Sequence, residues 1–380
     1  MPCELRHELI VWEILVRLPA KSLLPLRCVC MAWRDTISGA DRSFSQAHLR
    51  RLRQQDKKLC SLLITPRIRS ERIKGKIATP GLYLWEESRQ GVATLLHDTS
   101  SFPAEEAKTR HAFAHCDGLV LLPAEDAVRV LNPATGRVLE LPWSPNGVAP
   151  GRHLVAPGHQ ALGFGQDHGS NAYKAFTIGK DRYWRETDEQ PPYPFLVGRI
   201  ETFFKGSLIW TVDQYSLIYE YGHSLLHDLA GMPCFVRFSL EDESFSIMTG
   251  PPWFEGGDYL ESRLAELNGE LAIHRLGPNY ESIEIWMCHD AEGNNPPRWE
   301  QRHAFDFAGS VRLMATLDDE IVYQGGSSYL WRQTREGNDI MVCITDLKYY
   351  SPDMGTLVEY SWGSVEDFDV VFFIPTLVQI

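Results

Sequence analysis

The sequence is poor in the features that mark membrane, secreted or metal-binding chains. No run within its 380 residues approaches the ~18 apolar residues of a spanning helix, and the greasiest stretch, Val370 to Ile374, stops at Pro375. The opening MPCELRHELI has no basic segment followed by an apolar core, so no secretory signal is expected. Asn-x-Ser/Thr and C-x-x-C are both absent, and the eight cysteines are scattered. The close pair Cys28-Val29-Cys30 has the wrong spacing for zinc. A chain this long buries enough surface to need no disulfides, so a reducing compartment, cytoplasmic and/or nuclear, is expected.

Catalytic signatures are missing too. There is no P-loop and no G-x-S-x-G, and His7-Glu8 lacks a second His four residues after the first. Gly163-Phe164-Gly165 has His168 where a dinucleotide loop needs its third glycine, so it reads as a turn opening a strand. His111, His115, Cys116 and Asp117 lie close in sequence, but alternation along a strand sends neighbours to opposite faces. The acidic groups Glu241-Asp242-Glu243 and Asp318-Asp319-Glu320 read as solvated turns. No metal, no cofactor and no catalytic residue is expected.

What the sequence does have is an uneven charge. Its net charge is −13. Residues 1–80 hold 16 basic and 7 acidic side chains, net +9, whereas residues 81–380 hold 21 and 43, net −22. The overall balance disfavours a nucleic-acid binder, and the asymmetry divides the chain into two modules.

The first module is helical. Leu9, Ile10, Ile14, Leu15 and Leu18 recur at helical spacing until Pro19 stops the helix. Leu23, Leu24, Leu26, Val29, Cys30, Trp33 and Ile37 form a second series, with Gly39 as its stop. Two or three short helices in under fifty residues cannot bury this much apolar surface among themselves. They pack on the rest of the chain or dock on a partner. His48 to Lys58, with five basic residues and no apolar period, reads as a solvated helix end and linker.

From about Leu59 the period changes to short β-rich runs. Examples are 118–122, 128–131, 207–212, 235–240, 283–287 and 340–345. Asn132-Pro133-Ala134-Thr135-Gly136 is a hairpin turn with Pro early and Gly late. One unit recurs in degenerate form: a polar-plus-Gly turn opens a strand at Gly118, Gly206 and Gly269, and at Asp319 the Gly is lost. The openings are 88, 63 and 50 residues apart. Repeats of ~40–50 residues mark propeller blades, so the first interval spans two blades and the domain holds about six or seven. Nine of the eleven tryptophans lie past residue 80 and read as filling between sheets.

Residues 5–38, LRHELIVWEILVRLPAKSLLPLRCVCMAWRDTIS, resemble the F-box in its large plant version. The likeness rests on the Leu-rich helix closed by Arg17-Leu18-Pro19, then Lys21-Ser22-Leu23-Leu24, Arg27-Cys28-Val29-Cys30 and Trp33-Arg34. Arg6 and Pro25 depart from the pattern; Pro25 implies a second helix that starts near Leu24 or is broken there. Residues 115–141 and 161–176 resemble the F-box-associated region of plant F-box proteins, through "C-D-G-L", "N-P-A-T" and "G-F-G".

The resemblance implies an F-box helical module over 1–45, a basic linker with the first strand or strands over 46–80, and a β-propeller-like domain over 81–380. It implies a non-catalytic substrate-recognition subunit of an SCF-type ubiquitin ligase. Leu9, Ile10, Ile14, Leu15, Leu18, Pro19, Leu23, Leu24, Val29 and Trp33 would then dock on a Skp-type adaptor, and through it on a cullin-RING ligase. The β domain would hold an unknown protein substrate. Two alternatives stand beside this: an F-box scaffold outside ubiquitination, and a propeller that binds a ligand or acts as an enzyme.

Overall fold

The computed structural model describes residues 7–38, 42–54, 61–69, 77–78, 81–86, 92–98, 114–123, 128–141, 163–167, 169, 172–174, 191–193, 195, 201–213, 234–254, 262–267, 269–276, 282–289, 297–306, 311–317, 320–325, 329–334, 339–343, 348–351, 356–359 and 365–379. The first described element is an irregular helix. An α-turn, α1 (His7–Leu9), widens into a π-turn over Ile10–Ile14 and tightens to a 3-10 turn over Leu15–Arg17. Leu18 and Pro19 are extended and lead into α2 (Ala20–Leu26), followed by α3 (Met31–Ile37) and α4 (Arg42–Gln54).

Two expectations are corrected here. α2 starts at Ala20, not near Leu24, and runs through Pro25 to Leu26. Pro25 has no N–H to give Lys21 O, but it sits one residue from the end, so the helix loses that single bond before its last turn tightens: Arg27 N–H bonds to Leu24 O at 3.3 Å and Cys28 N–H to Pro25 O at 3.1 Å. The basic stretch after His48 is largely α4, and not all of it is solvated. Phe44, His48 and Leu49 face inward while Arg50 faces out.

The remainder is β. β1 (Ser61–Arg69), β2 (Ile77–Ala78), β3 (Gly81–Glu86) and β4 (Val92–Asp98) begin one sheet. β5 (Ala114–Cys116), β6 (Leu119–Pro123), β7 (Val128–Asn132) and β8 (Arg137–Glu140) form a four-stranded antiparallel meander. β9 (Gly165–Asp167) and β10 (Ala172–Lys174) form a ribbon. Three further meanders follow: β11 (Thr202–Phe204) to β14 (Phe245–Met248), with β12 (Ser207–Thr211) and β13 (Phe235–Ser239) between; β15 (Arg263–Leu267), β16 (Glu270–Leu276), β17 (Ser282–His289) and β18 (Arg298–Asp306); and β19 (Val311–Leu317), β20 (Glu320–Gly325), β21 (Tyr329–Thr334) and β22 (Asp339–Cys343). β23 (Lys348–Ser351), β24 (Thr356–Glu359) and β25 (Val365–Phe372) return to the first sheet, which thereby has seven strands.

The sheets follow one another as a propeller-like ring. β5 contacts β9, β9 contacts β12, β11 contacts β15, β15 contacts β19, and β19 contacts β25. Leu63, Leu82 and Leu84 of the first sheet pack on Val120, Leu122 and Leu131 of the β5–β8 sheet, completing the circuit. β25 lies antiparallel to β1 from Leu62↔Phe372 to Ile68↔Val365, so the two ends of the β region share one sheet. Four sheets are complete four-stranded meanders among the described residues.

The repeat read from the sequence falls on one structural position. Gly118 and Gly206 close the two-residue turns β5–β6 and β11–β12, Gly269 sits at the β15–β16 turn, and Leu317 pairs with Glu320 across the last. Asp117 (φ 53°) and Gly118 (φ 76°), like Lys205 (φ 44°) and Gly206 (φ 77°), have the paired positive φ of a type I′ turn. The ribbon β9–β10 occupies the long first interval. Trp210 is buried, and Trp253, Trp286 and Trp299 pack on the core between the β11–β14 and β15–β18 sheets, around Phe235 and Leu271.

One core group titrates far from its ordinary range. Burial pushes the Glu201 carboxyl up to about 8, although it accepts the Phe164 N–H at 3.0 Å, an interaction that favours its charged form. The folded state therefore holds a proton that the unfolded chain releases near 4.5. This contribution is complete below that value and is lost as pH climbs through about 8. Glu201→Gln is expected to flatten the fall in stability across that window by several kcal/mol, measured by urea denaturation at a series of pH values. A second expectation concerns β1: a chain begun at residue 81 lacks the strand between β25 and β3. Such a fragment should show no cooperative thermal transition, whereas one begun at residue 61 should.

Candidate functional site

The helical module divides its apolar residues between a core and an outer face. Val11, Leu15, Val16, Ala20, Leu23, Ile37 and Phe44 form the core, with Ile10, Leu18, Leu24, Leu26 and Trp33 packed on it. The outer face holds Leu9 (49% exposed), Trp12 (41%), Ile14 (46%), Val29 (60%) and Met31 (69%). Among the described residues, the only other large apolar side chains so exposed are Val138 and Ile247. Five of seven on one small module is far from the single scattered exposures of an ordinary surface.

The ten candidate docking residues therefore separate. Leu15 and Leu23 are buried and support the module. Ile10, Leu18, Leu24 and Trp33 are half-buried, and Leu9, Ile14, Pro19 and Val29 are exposed. The candidate list omits Trp12 and Met31. Trp12 stands directly before Glu13 in the first apolar series, and a bulky ring beside a charged residue was the available signal. Met31 follows the turn at Cys30, where no helical period yet applies.

The π-turn sets the outer face. Leu15 N–H reaches both Ile10 O and Val11 O, and along this wider turn Trp12 and Ile14 are exposed while Val11 and Leu15 are buried. Arg17 pairs with Glu13 at 2.7 Å along the same exposed side. Lys21 reaches Glu86 of β3 at 2.8 Å, tying α2 to the β region.

Packing fixes the module to the ring. His48 is fully buried beside Phe44, and its Nε2 lies 2.8 Å from Leu18 O, where it donates in the neutral form. Burial holds its pKa below the usual histidine value, against the pull of that carbonyl. Leu49, on the same helix, enters the core of Ala114, Cys116, Leu119 and Phe164.

The C-terminal segment 373–379 passes through three cores in turn. Phe373 joins the closure between the first sheet and β6–β7, Leu377 enters the helical core with Leu15 and Leu23, and Val378 enters the core beneath Leu49. Asn132, fully buried, donates from Nδ2 to Thr376 O (3.1 Å) and Val378 O (2.8 Å). Its Oδ1 accepts from Ala134 N–H (2.9 Å) and Thr135 N–H (3.2 Å). Thr376 Oγ1 donates to Asp117 O at 2.8 Å, and a Cβ on Gly118 would lie 2.4 Å from Ile374 O.

The ring's polar clusters do structural work. Lys174 bridges Asp167 (3.1 Å) and Glu243 (3.0 Å), joining the β9–β10 ribbon to the β13–β14 turn. Burial opposes its charge, but hydrogen bonds to Glu243 and Asp167 hold its pKa above the usual lysine value. Asp117 accepts the Tyr173 hydroxyl at 2.8 Å. His111 and Asp318-Asp319 lie outside the described residues. Among the described residues, no group of three His, Cys, Asp or Glu side chains is placed to hold a metal ion, and no helix is long and apolar enough to cross a membrane.

The clamp on segment 373–379 should be measurable. Leu377→Ala is expected to destabilise the helical module by about 2–5 kcal/mol, and Asn132→Ala should act in the same direction by orphaning buried backbone groups. In limited proteolysis, cleavage between residues 38 and 61 should speed up while the ring stays protected.

Comparison with known proteins agrees with this division. Residues 7–44 match the F-box domain. An F-box/LRR-repeat protein of Arabidopsis thaliana is 24% identical over 72% of this chain and 62% of its own length. An F-box protein of the same plant is 24% identical over 75% of this chain and 65% of its own length. The chain thus spans somewhat under two thirds of these relatives. Among solved structures, apo AztD from Citrobacter koseri covers 83% of this chain and 98% of its own at a TM-score of 0.36 and 9% identity, a likeness too distant to inform fold or function. This chain carries an F-box domain at its N-terminus, has Arabidopsis F-box proteins as homologues, and joins that domain to a C-terminal all-β ring, as a plant F-box protein would.

Proposed function

We propose that this protein is the substrate-recognition subunit of an SCF-type ubiquitin ligase. The observation that carries the reading is the concentration of Leu9, Trp12, Ile14, Val29 and Met31 on the outer face of the F-box module. Fully burying each such side chain is worth about 1.5–3 kcal/mol, enough for a stable interface with the apolar groove of a Skp-type adaptor. Pro19, also exposed, continues that face at the entry to α2. Through the adaptor the chain would meet a cullin-RING ligase in the cytoplasm and/or nucleus.

The β domain is proposed as the substrate receptor. Its four complete meanders, the β9–β10 ribbon and the seven-stranded sheet support a propeller of six or seven blades. We assign residues 1–45 to the docking module, 46–80 to the basic connection and first strands, and 81–380 to the remaining β domain. The mechanism is positioning: a target held on the ring has its lysines brought to a charged ubiquitin-conjugating enzyme, and the gain is effective concentration. No residue of this chain makes or breaks a bond in that scheme.

The double variant Ile14→Asp, Val29→Asp changes two exposed positions, so the fold should survive. Co-precipitation of a purified Skp-type adaptor with the full chain is expected to be strong for the wild type and lost for the variant, with unchanged circular dichroism. Retained binding by the variant would refute the assignment of this face.

A further inference from the structure

The turn between α2 and α3 carries two exposed thiols on either side of Val29 and next to Met31, the two most exposed apolar residues of the module. Cys116, Cys234 and Cys288 are buried, whereas Cys28 and Cys30 are exposed, and these are the five cysteines whose exposure is described. Val29, between the two, is 60% exposed, and Met31, which follows, is 69% exposed. The segment is held in place by its backbone. Cys28 N–H bonds to Pro25 O at 3.1 Å, Val29 N–H to Leu26 O at 3.1 Å, and Arg34 N–H to Cys30 O at 3.0 Å. Cys30 caps α3, its Sγ accepting the Trp33 N–H at 3.5 Å.

Thiol chemistry follows access, and on this chain access falls on a surface proposed to be covered by a partner. A thiol two residues from another, both solvent-facing, also has a built-in second step. Neither property is needed for apolar docking, which Val29 and Met31 supply.

We propose that Cys28 and Cys30 form a thiol-modification site at which a small disulfide of the oxidised-glutathione class switches adaptor docking off. The thiolate of Cys28, its proton lost to water, attacks one sulfur of the disulfide. The new S–S bond forms as the reagent's S–S bond breaks; the Cys28 sulfur is oxidised and the departing thiol is reduced. The thiolate of Cys30 then attacks the Cys28 sulfur of that mixed disulfide, closing a Cys28–Cys30 bond and expelling the second reduced thiol. The first product places a charged tripeptide on the apolar face, where burial without a partner is strongly unfavourable. The second reshapes the turn that presents Val29 and Met31. Reduction reverses both.

This regulation rests on the docking reading, and the test separates them. The full chain is incubated with oxidised glutathione, mapped by peptide mass spectrometry, and assayed for binding to a purified Skp-type adaptor before treatment, after it, and after dithiothreitol. The expected result is modification at Cys28 or Cys30 ahead of every other cysteine, with affinity reduced ~10-fold or more and restored by reductant. Cys28→Ser with Cys30→Ser, which keeps a hydroxyl cap at residue 30, should bind untreated and ignore the oxidant. Modification elsewhere first, or modified chain that binds unchanged, overturns the switch alone. Failure of the untreated wild type to bind overturns the docking reading and the switch with it.

Discussion

The pairing of β25 with β1 joins Leu62 to Phe372 across nearly the whole β region. A ring of sheets has no covalent closure, and here the first sheet closes through β25 on β1, with β23 on β4 at its other side. The contact is non-local, so its chain entropy must be met before the inter-sheet cores reward it. Seven of the paired positions on β1 meet β25, while its other edge pairs with β3. β1 is thus an interior strand although it comes first in the ring.

The helical module sits at this closure, where the segment after β25 enters its core. α4 precedes β1, and segment 373–379 leaves β25. That segment ties the F-box core to the ring through Leu377, Val378 and the two hydrogen bonds that Asn132 Nδ2 donates to Thr376 O and Val378 O. A helical module held this way keeps a fixed orientation to the ring, which a flexible linker would not give it.

The closure also explains three stretches of the β region, "C-D-G-L", "N-P-A-T" and "G-F-G". Asn132 of the "N-P-A-T" stretch and the Asp117-Gly118 turn of the "C-D-G-L" stretch both grip the C-terminal segment. "G-F-G" serves a neighbouring contact: a Cβ on Gly163 would lie 2.3 Å from Leu208 Cδ1, and Phe164 is buried in the core beneath Leu49. These residues look like turn chemistry in the sequence. Their partners lie up to 246 residues away, and no local pattern announces them.

The helical period, the switch to short strands, and the recurring strand-opening turns are local properties, and the sequence alone determined them. Gly118 and Gly206 needed only the requirement for φ > 0 in a tight hairpin. The F-box was likewise determined by residue order, since its motif is contiguous. Only the tertiary structure decided which F-box side chains face out. Leu15 and Leu23 have the same sequence character as Leu9, but a π-turn and the arrival of Leu377 bury the first two and leave the third exposed. Burial depends on what packs against a residue, and here that partner comes from the far end of the chain.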